Sequence, residues 1–93
     1  MVNEKQLSAQ LQSEGFSHTY TWADGPNAHY PPHTHPTETA HIILSGEMTL
    51  TINGQARVYR AGDRCDVPAG IPHSADMGRL GCRYLIGERT AAH

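Results

Sequence analysis

Met48-Thr49-Leu50-Thr51-Ile52-Asn53-Gly54-Gln55-Ala56-Arg57-Val58-Tyr59 contains two strands and the turn that joins them. Met48, Leu50 and Ile52 alternate with Thr49 and Thr51, and a strand sends successive side chains to opposite faces, so one face is apolar and turned inward. Asn53-Gly54 suits a two-residue type I′ turn, whose central residues both need positive φ. The same pattern extends in both directions. Short strands are expected over 17–22, 28–33, 39–44, 64–67 and 83–86, separated by turns at Asp24-Gly25, Ser45-Gly46, Ala61-Gly62 and Ala69-Gly70. About seven such strands make a sandwich or a barrel, and the need to close sheet edges favours the barrel. Helical spacing occurs once, at Leu7 and Leu11, with Gly15 placed to end the helix in a left-handed cap.

The chain has 93 residues, enough for one small domain. Residues 1–93 are therefore read as a single unit, with 1–15 helical and 16–90 forming the β-barrel. Seven Lys+Arg against nine Asp+Glu give a formal net charge of -2, with no basic patch for a phosphate backbone. Nucleic acid is not expected as a partner, and a neutral or small anionic molecule is. Cys65 and Cys82 stand outside any CxxC spacing and no signal peptide is apparent, which fits reduced thiols in the cytoplasm. No apolar run approaches the roughly 18 residues that span a bilayer, so no membrane role is expected.

Three histidines carry the chemistry. His33 and His35 form His-Thr-His directly after Pro31-Pro32, and on an extended segment two residues one apart project to the same side. His73 closes the run Pro68-Ala69-Gly70-Ile71-Pro72-His73 far downstream. Three imidazoles brought together from separate segments would form a facial N3 set for a divalent transition metal, with coordination positions left open. Imidazole alone does not choose among Fe, Mn, Ni and Zn. His18, His29 and His93 are read as ordinary surface or packed histidines.

The two segments together resemble the sequence motifs of the cupins. The first is Gly25, His33-Thr34-His35, Glu38, Thr39 and Gly46; the second is Gly62, Pro68-Ala69-Gly70 and His73. The resemblance implies an all-β, double-stranded β-helix of jelly-roll type with a short N-terminal helix, a metal held by His33, His35 and His73, and a homodimer. It departs at two positions. Thr39 stands where the family usually has a metal-binding glutamate, and threonine is a poor ligand for a divalent ion. Met77 stands where an asparagine is usual. His41, two residues beyond Thr39, faces the same interior about 6.6 Å further along and is the expected fourth ligand. Glu38 is the alternative.

Trp22, Tyr30, Arg83 and Tyr84 are candidates for the barrel mouth, where an arginine could hold a carboxylate. Cys65 is read as a small buried apolar residue. Ile42 and Leu44 alternate with His41 and Ile43, so that strand needs cover on both faces, from the N-terminal helix or a second subunit. The resemblance implies a metal-dependent enzyme, such as a dioxygenase or an isomerase or decarboxylase, acting on a small organic molecule. The alternative is a non-catalytic cupin that binds a small ligand as a sensor.

Overall fold

A computed structural model of the chain describes residues 3–90. His93, one of the histidines read as ordinary, lies outside them. Helix α1 spans Glu4–Ser13, opened by Asn3, whose side chain accepts from the Gln6 amide at 3.1 Å. It closes at Gly15, which has a φ of 100°: the Phe16 amide reaches back to the Leu11 carbonyl and that of Gly15 to Gln12, both at 3.0 Å. This double bond pattern satisfies the last free carbonyls of the helix.

Six strands follow: β1 His18–Asp24, β2 His29–His33, β3 Thr37–Ile52, β4 Gln55–Arg60, β5 Arg64–Val67 and β6 His73–Thr90. All pairings are antiparallel. The long strands β3 and β6 pair with each other along most of their length and tie the molecule together. Their outer portions, 37–46 and 82–90, are flanked by β5 and β1; their inner portions, 48–52 and 73–77, are flanked by β4 and β2. The two halves face each other across one core, where Ile43, Val67, Tyr84 and Ile86 of the first meet Met48, Leu50, Ala75 and Met77 of the second. The all-β jelly-roll architecture with one short N-terminal helix agrees with the sequence expectation.

Several strand ends shift by one or two residues, and two expectations fail in kind. Ser45-Gly46 is not a turn between two strands but a bulge inside β3, with register shifts on both sides. Gly46 has a φ of 77°, and a Cβ there would strike the Gly81 carbonyl oxygen, Gly81 itself having a φ of 79°. A glycine at positive φ serves a turn and a bulge equally well, so residue type alone could not separate them. Likewise the expected strand 83–86 is only part of β6, because Gly78, Arg79, Leu80 and Gly81 break the apolar alternation where the strand bends.

The outer face of β3 is covered by α1. Leu11 and Phe16 are fully buried against Ala40, Ile42 and Leu85. Arg64 holds the helix end, bonding Glu14 at 2.7 Å and Asp66 at 2.8 Å, and Arg83 holds its start through Glu4 at 2.6 Å. Cys65 and Cys82 are free thiols, both buried.

Candidate metal centre

His33 ends β2 and is the direct cross-strand partner of His73, which begins β6. Pairing the two ends places both rings on the same face, with centroids 4.4 Å apart. His35 sits just beyond β2, in a loop fixed by a bond from the Gly70 amide to its carbonyl at 2.9 Å. Its ring lies 4.8 Å from that of His33 and 5.0 Å from that of His73. One nitrogen from each ring falls within 4.8 Å of the other two, and among the described residues these are the His, Cys, Asp and Glu side chains grouped closely enough to share a metal ion.

The outer nitrogens are committed. Nδ1 of His33 bonds the Pro31 carbonyl at 2.7 Å, and Nδ1 of His73 bonds the Ile71 carbonyl at 3.0 Å. A carbonyl only accepts, so each ring carries its proton on Nδ1 and presents a bare Nε2 lone pair, the form in which imidazole ligates a metal. Nε2 of His33 lies 3.1 Å from Nε2 of His35. Two lone pairs at that separation repel unless a proton or a cation lies between them, so the donor set fits a divalent transition metal. His35 is held below the usual imidazole range, first by burial and then by the charges of His33 and His73, with Glu88 pulling the other way.

The triad opens into a cavity of about 500 Å³, within the usual size of small-molecule sites. Tyr20, Trp22, Tyr30 and Tyr84 line it, together with Met48, Leu50, Met77 and Ile86. Three of these aromatics share one anchor. Tyr30 and Tyr84 donate to the two oxygens of Asp24 at 2.6 and 2.7 Å, and the Trp22 indole donates to the same carboxylate at 3.1 Å. The bond to Asp24, and then burial, push the Tyr30 hydroxyl up; burial, and then Asp24, do the same to Tyr84, so both remain donors.

Thr39 and His41 also face this cavity, as the alternation of β3 requires. Thr39 is 3 % exposed and its Oγ1 has no hydrogen-bond partner; Nδ1 of His41 is likewise buried and unpartnered. Burial pushes His41 down to about 4, with the Cys65 backbone pulling the other way. His41 lies outside the three-histidine group, with its ring 6.0 Å from that of Tyr84. Glu38 points the other way, to Arg89 at 2.5 Å. Arg83 is engaged with Glu4 and does not line the cavity. His29 pairs with Asp76 at 2.6 Å on the surface and His18 packs on Tyr20, in keeping with the ordinary roles expected of them.

Glu88 was not anticipated. Among the described residues it is the one carboxylate in the cavity wall, and it accepts from Tyr20 at 2.7 Å. Burial, and then Glu88 itself, push the Tyr20 hydroxyl up to about 12. The available signal was the alternation of the last strand, since Tyr84, Ile86 and Glu88 share a face.

A bent antiparallel jelly roll with three histidines grouped at an aromatic-lined cavity defines a class of small β-barrels with a site that could hold a metal ion. The cupin domain model matches residues 20–77, and the chain belongs to that family. It is 37% identical over 49 residues to quercetin 2,3-dioxygenase of Bacillus subtilis, covering 52% of this chain and 14% of that protein. It is 38% identical over 56 residues to the HTH-type transcriptional regulator PuuR of Escherichia coli, covering 60% and 30%. The chain thus spans less than a third of either relative. Among solved structures, the DMSP lyase DddQ of Ruegeria pomeroyi superposes with a TM-score of 0.72 at 28% identity, covering 81% of this chain and 39% of that one. The cupin domain of Schizosaccharomyces pombe Cnp3 gives 0.73 at 19% identity, covering 78% and 55%.

Proposed function

We propose that this cupin is a metal-dependent enzyme of the dioxygenase kind, in which His33, His35 and His73 hold a divalent ion and the adjoining cavity holds a small organic molecule. The observation that carries the reading is the pair of backbone-tethered rings, His33 and His73, whose bare Nε2 atoms converge with His35. When bound, an ion in that seat supplies redox chemistry toward dioxygen if it is iron, or Lewis-acid polarisation if it is zinc, nickel or manganese. The protein does the remaining work. Pro31 and Ile71 carbonyls fix the ligand tautomers, the Asp24-anchored aromatics shape the cavity, and its apolar wall excludes water around the reacting group. The similarity to a quercetin dioxygenase supports this chemistry.

His41 remains the proposed fourth ligand. Its neutral ring and cavity-facing position suit that role. The protein is further proposed to work in the cytoplasm as a homodimer; light scattering that gives a monomer mass at micromolar concentration overturns the dimer. Among the described residues no helix is long and apolar enough to cross a membrane.

The deciding experiment is metal analysis of protein purified without chelators, followed by anaerobic loading with Fe(II) and measurement of oxygen uptake with diketone-like and catechol-like compounds. One ion per chain and oxygen consumption are expected. No uptake of Fe(II), Mn(II), Ni(II) or Zn(II) overturns the metal site, and metal uptake without turnover overturns the enzyme. The similarity to a transcriptional regulator supports a second reading, a ligand-binding sensor, which a tightly held, unreacted small molecule in purified protein would favour.

A further inference from the structure

Strand β4 carries its alternation the wrong way round. The turn at Asn53-Gly54 fixes its register, so Gln55, Arg57 and Tyr59 pair with Ile52, Leu50 and Met48 and share their inward face. Val58 is turned out and is 42 % exposed. A strand of an antiparallel wall ordinarily buries its apolar residues and exposes its charged ones, and a local rule broken in this way points to a use for the inward side. Arg60, Arg64, Arg83 and Arg89 each hold a carboxylate. Among the described residues Arg57 holds none.

The inward side of β4 is a second cavity, of about 680 Å³, walled by Leu50, Ile52, Asn53, Gln55, Arg57 and Tyr59. Strand β3 separates it from the histidines: Gln55, Ile52, His73 and His33 stand in one row across β4, β3, β6 and β2. With neighbouring strands about 4.8 Å apart, Gln55 lies about 10 Å from His73. Buried Leu50 lines both cavities and is their shared wall. The Cys65 thiol, and then burial, push the Tyr59 hydroxyl up while Arg57 pulls it the other way, so this hydroxyl stays a donor beside the guanidinium. An arginine fork with a phenol and an amide next to it, above a floor of leucine and isoleucine, matches an acidic head on a hydrocarbon stem.

We infer that this cavity is a second binding site, for a small organic carboxylate whose two oxygens meet Arg57 and whose hydrocarbon part lies on Leu50 and Ile52. One guanidinium balances one negative charge, which suits a carboxylate better than a phosphate group carrying close to two. The site needs no metal, and it stands whether or not the histidines hold an ion.

The test is a titration of isotope-labelled full chain with hexanoate, followed by NMR in zinc-loaded and in metal-free protein. Saturable shifts of the backbone amides over 50–59 and of the Arg57 Nε–H are expected in both forms, with the millimolar affinity of so small a ligand. Hexanoate on zinc would instead shift the His33, His35 and His73 rings, and only in loaded protein. Arg57→Gln should weaken binding about tenfold, and hexanol, the same stem without the charge, should bind wild type about tenfold more weakly than hexanoate. No saturable shifts over 50–59, or shifts undiminished in R57Q, overturn the site. Hexanol bound as well as hexanoate, or inorganic phosphate bound more tightly, overturns the carboxylate. An inward charge on an edge strand also hinders pairing with another chain. If R57Q only raises the apparent mass in light scattering while wild type binds no hexanoate, Arg57 is such a guard and the inference falls.

Discussion

At the scale of single residues, the 3.1 Å approach of His33 Nε2 to His35 Nε2 sets the expectations. A His35→Ala, His73→Ala double variant removes two of the three clustered imidazoles and should lose the ion, with metal content falling from one per chain to below about a tenth by elemental analysis. Retention at full occupancy would reject the assignment. His41 gives a pH dependence whose sign is fixed by its burial. The unfolded ring protonates near 6.5 and the folded ring only near 4, so between these values the unfolded state binds more protons. Its contribution is complete above about pH 6.5 and is lost as the pH falls toward 4, a total of roughly 3 kcal/mol. Urea unfolding of metal-free protein at pH 7 and 4.5 should show this loss, and His41→Gln should flatten it. The three clustered histidines were legible because spacing and strand alternation bring them together. Glu88 was not, because the inward face of its strand is settled only by the bends at Gly78 to Gly81.

At the scale of elements, the bend in β3 depends on the touching backbones of Gly46 and Gly81. Gly46→Ala adds a methyl against a carbonyl oxygen at a positive φ, and both neighbours are backbone that cannot swing aside. A loss of about 3 kcal/mol or more in chemical denaturation is expected, far above the usual cost of a surface glycine. A loss under about 1 kcal/mol would show that the two strands separate easily there. The hairpin of β3 and β4 was readable to the residue, since Asn53 and Gly54 both take the positive φ that their turn demands. The continuity of β3 through Ser45-Gly46 was not, because pairing with a distant strand, rather than local preference, carries the chain through the bulge.

At the scale of the whole molecule, two apolar cores lie on either side of one sheet, and α1 closes the outer one. Leu11→Ala should cost about 2 to 5 kcal/mol and expose Ala40, Ile42 and Leu85 to solvent. An increase in apparent mass by light scattering is expected with it, since an uncovered sheet face of this kind invites association. The sequence left open whether the helix or a second subunit covers that face; the helix does, so a dimer must use another surface.

The carboxylate of Asp24 ties the indole of Trp22 into the rim of the cavity, and the chain has no other tryptophan. Its fluorescence is therefore a built-in gauge of occupancy: a paramagnetic ion or an absorbing guest in the cavity should quench the whole tryptophan emission, so that loading can be followed in solution without any label.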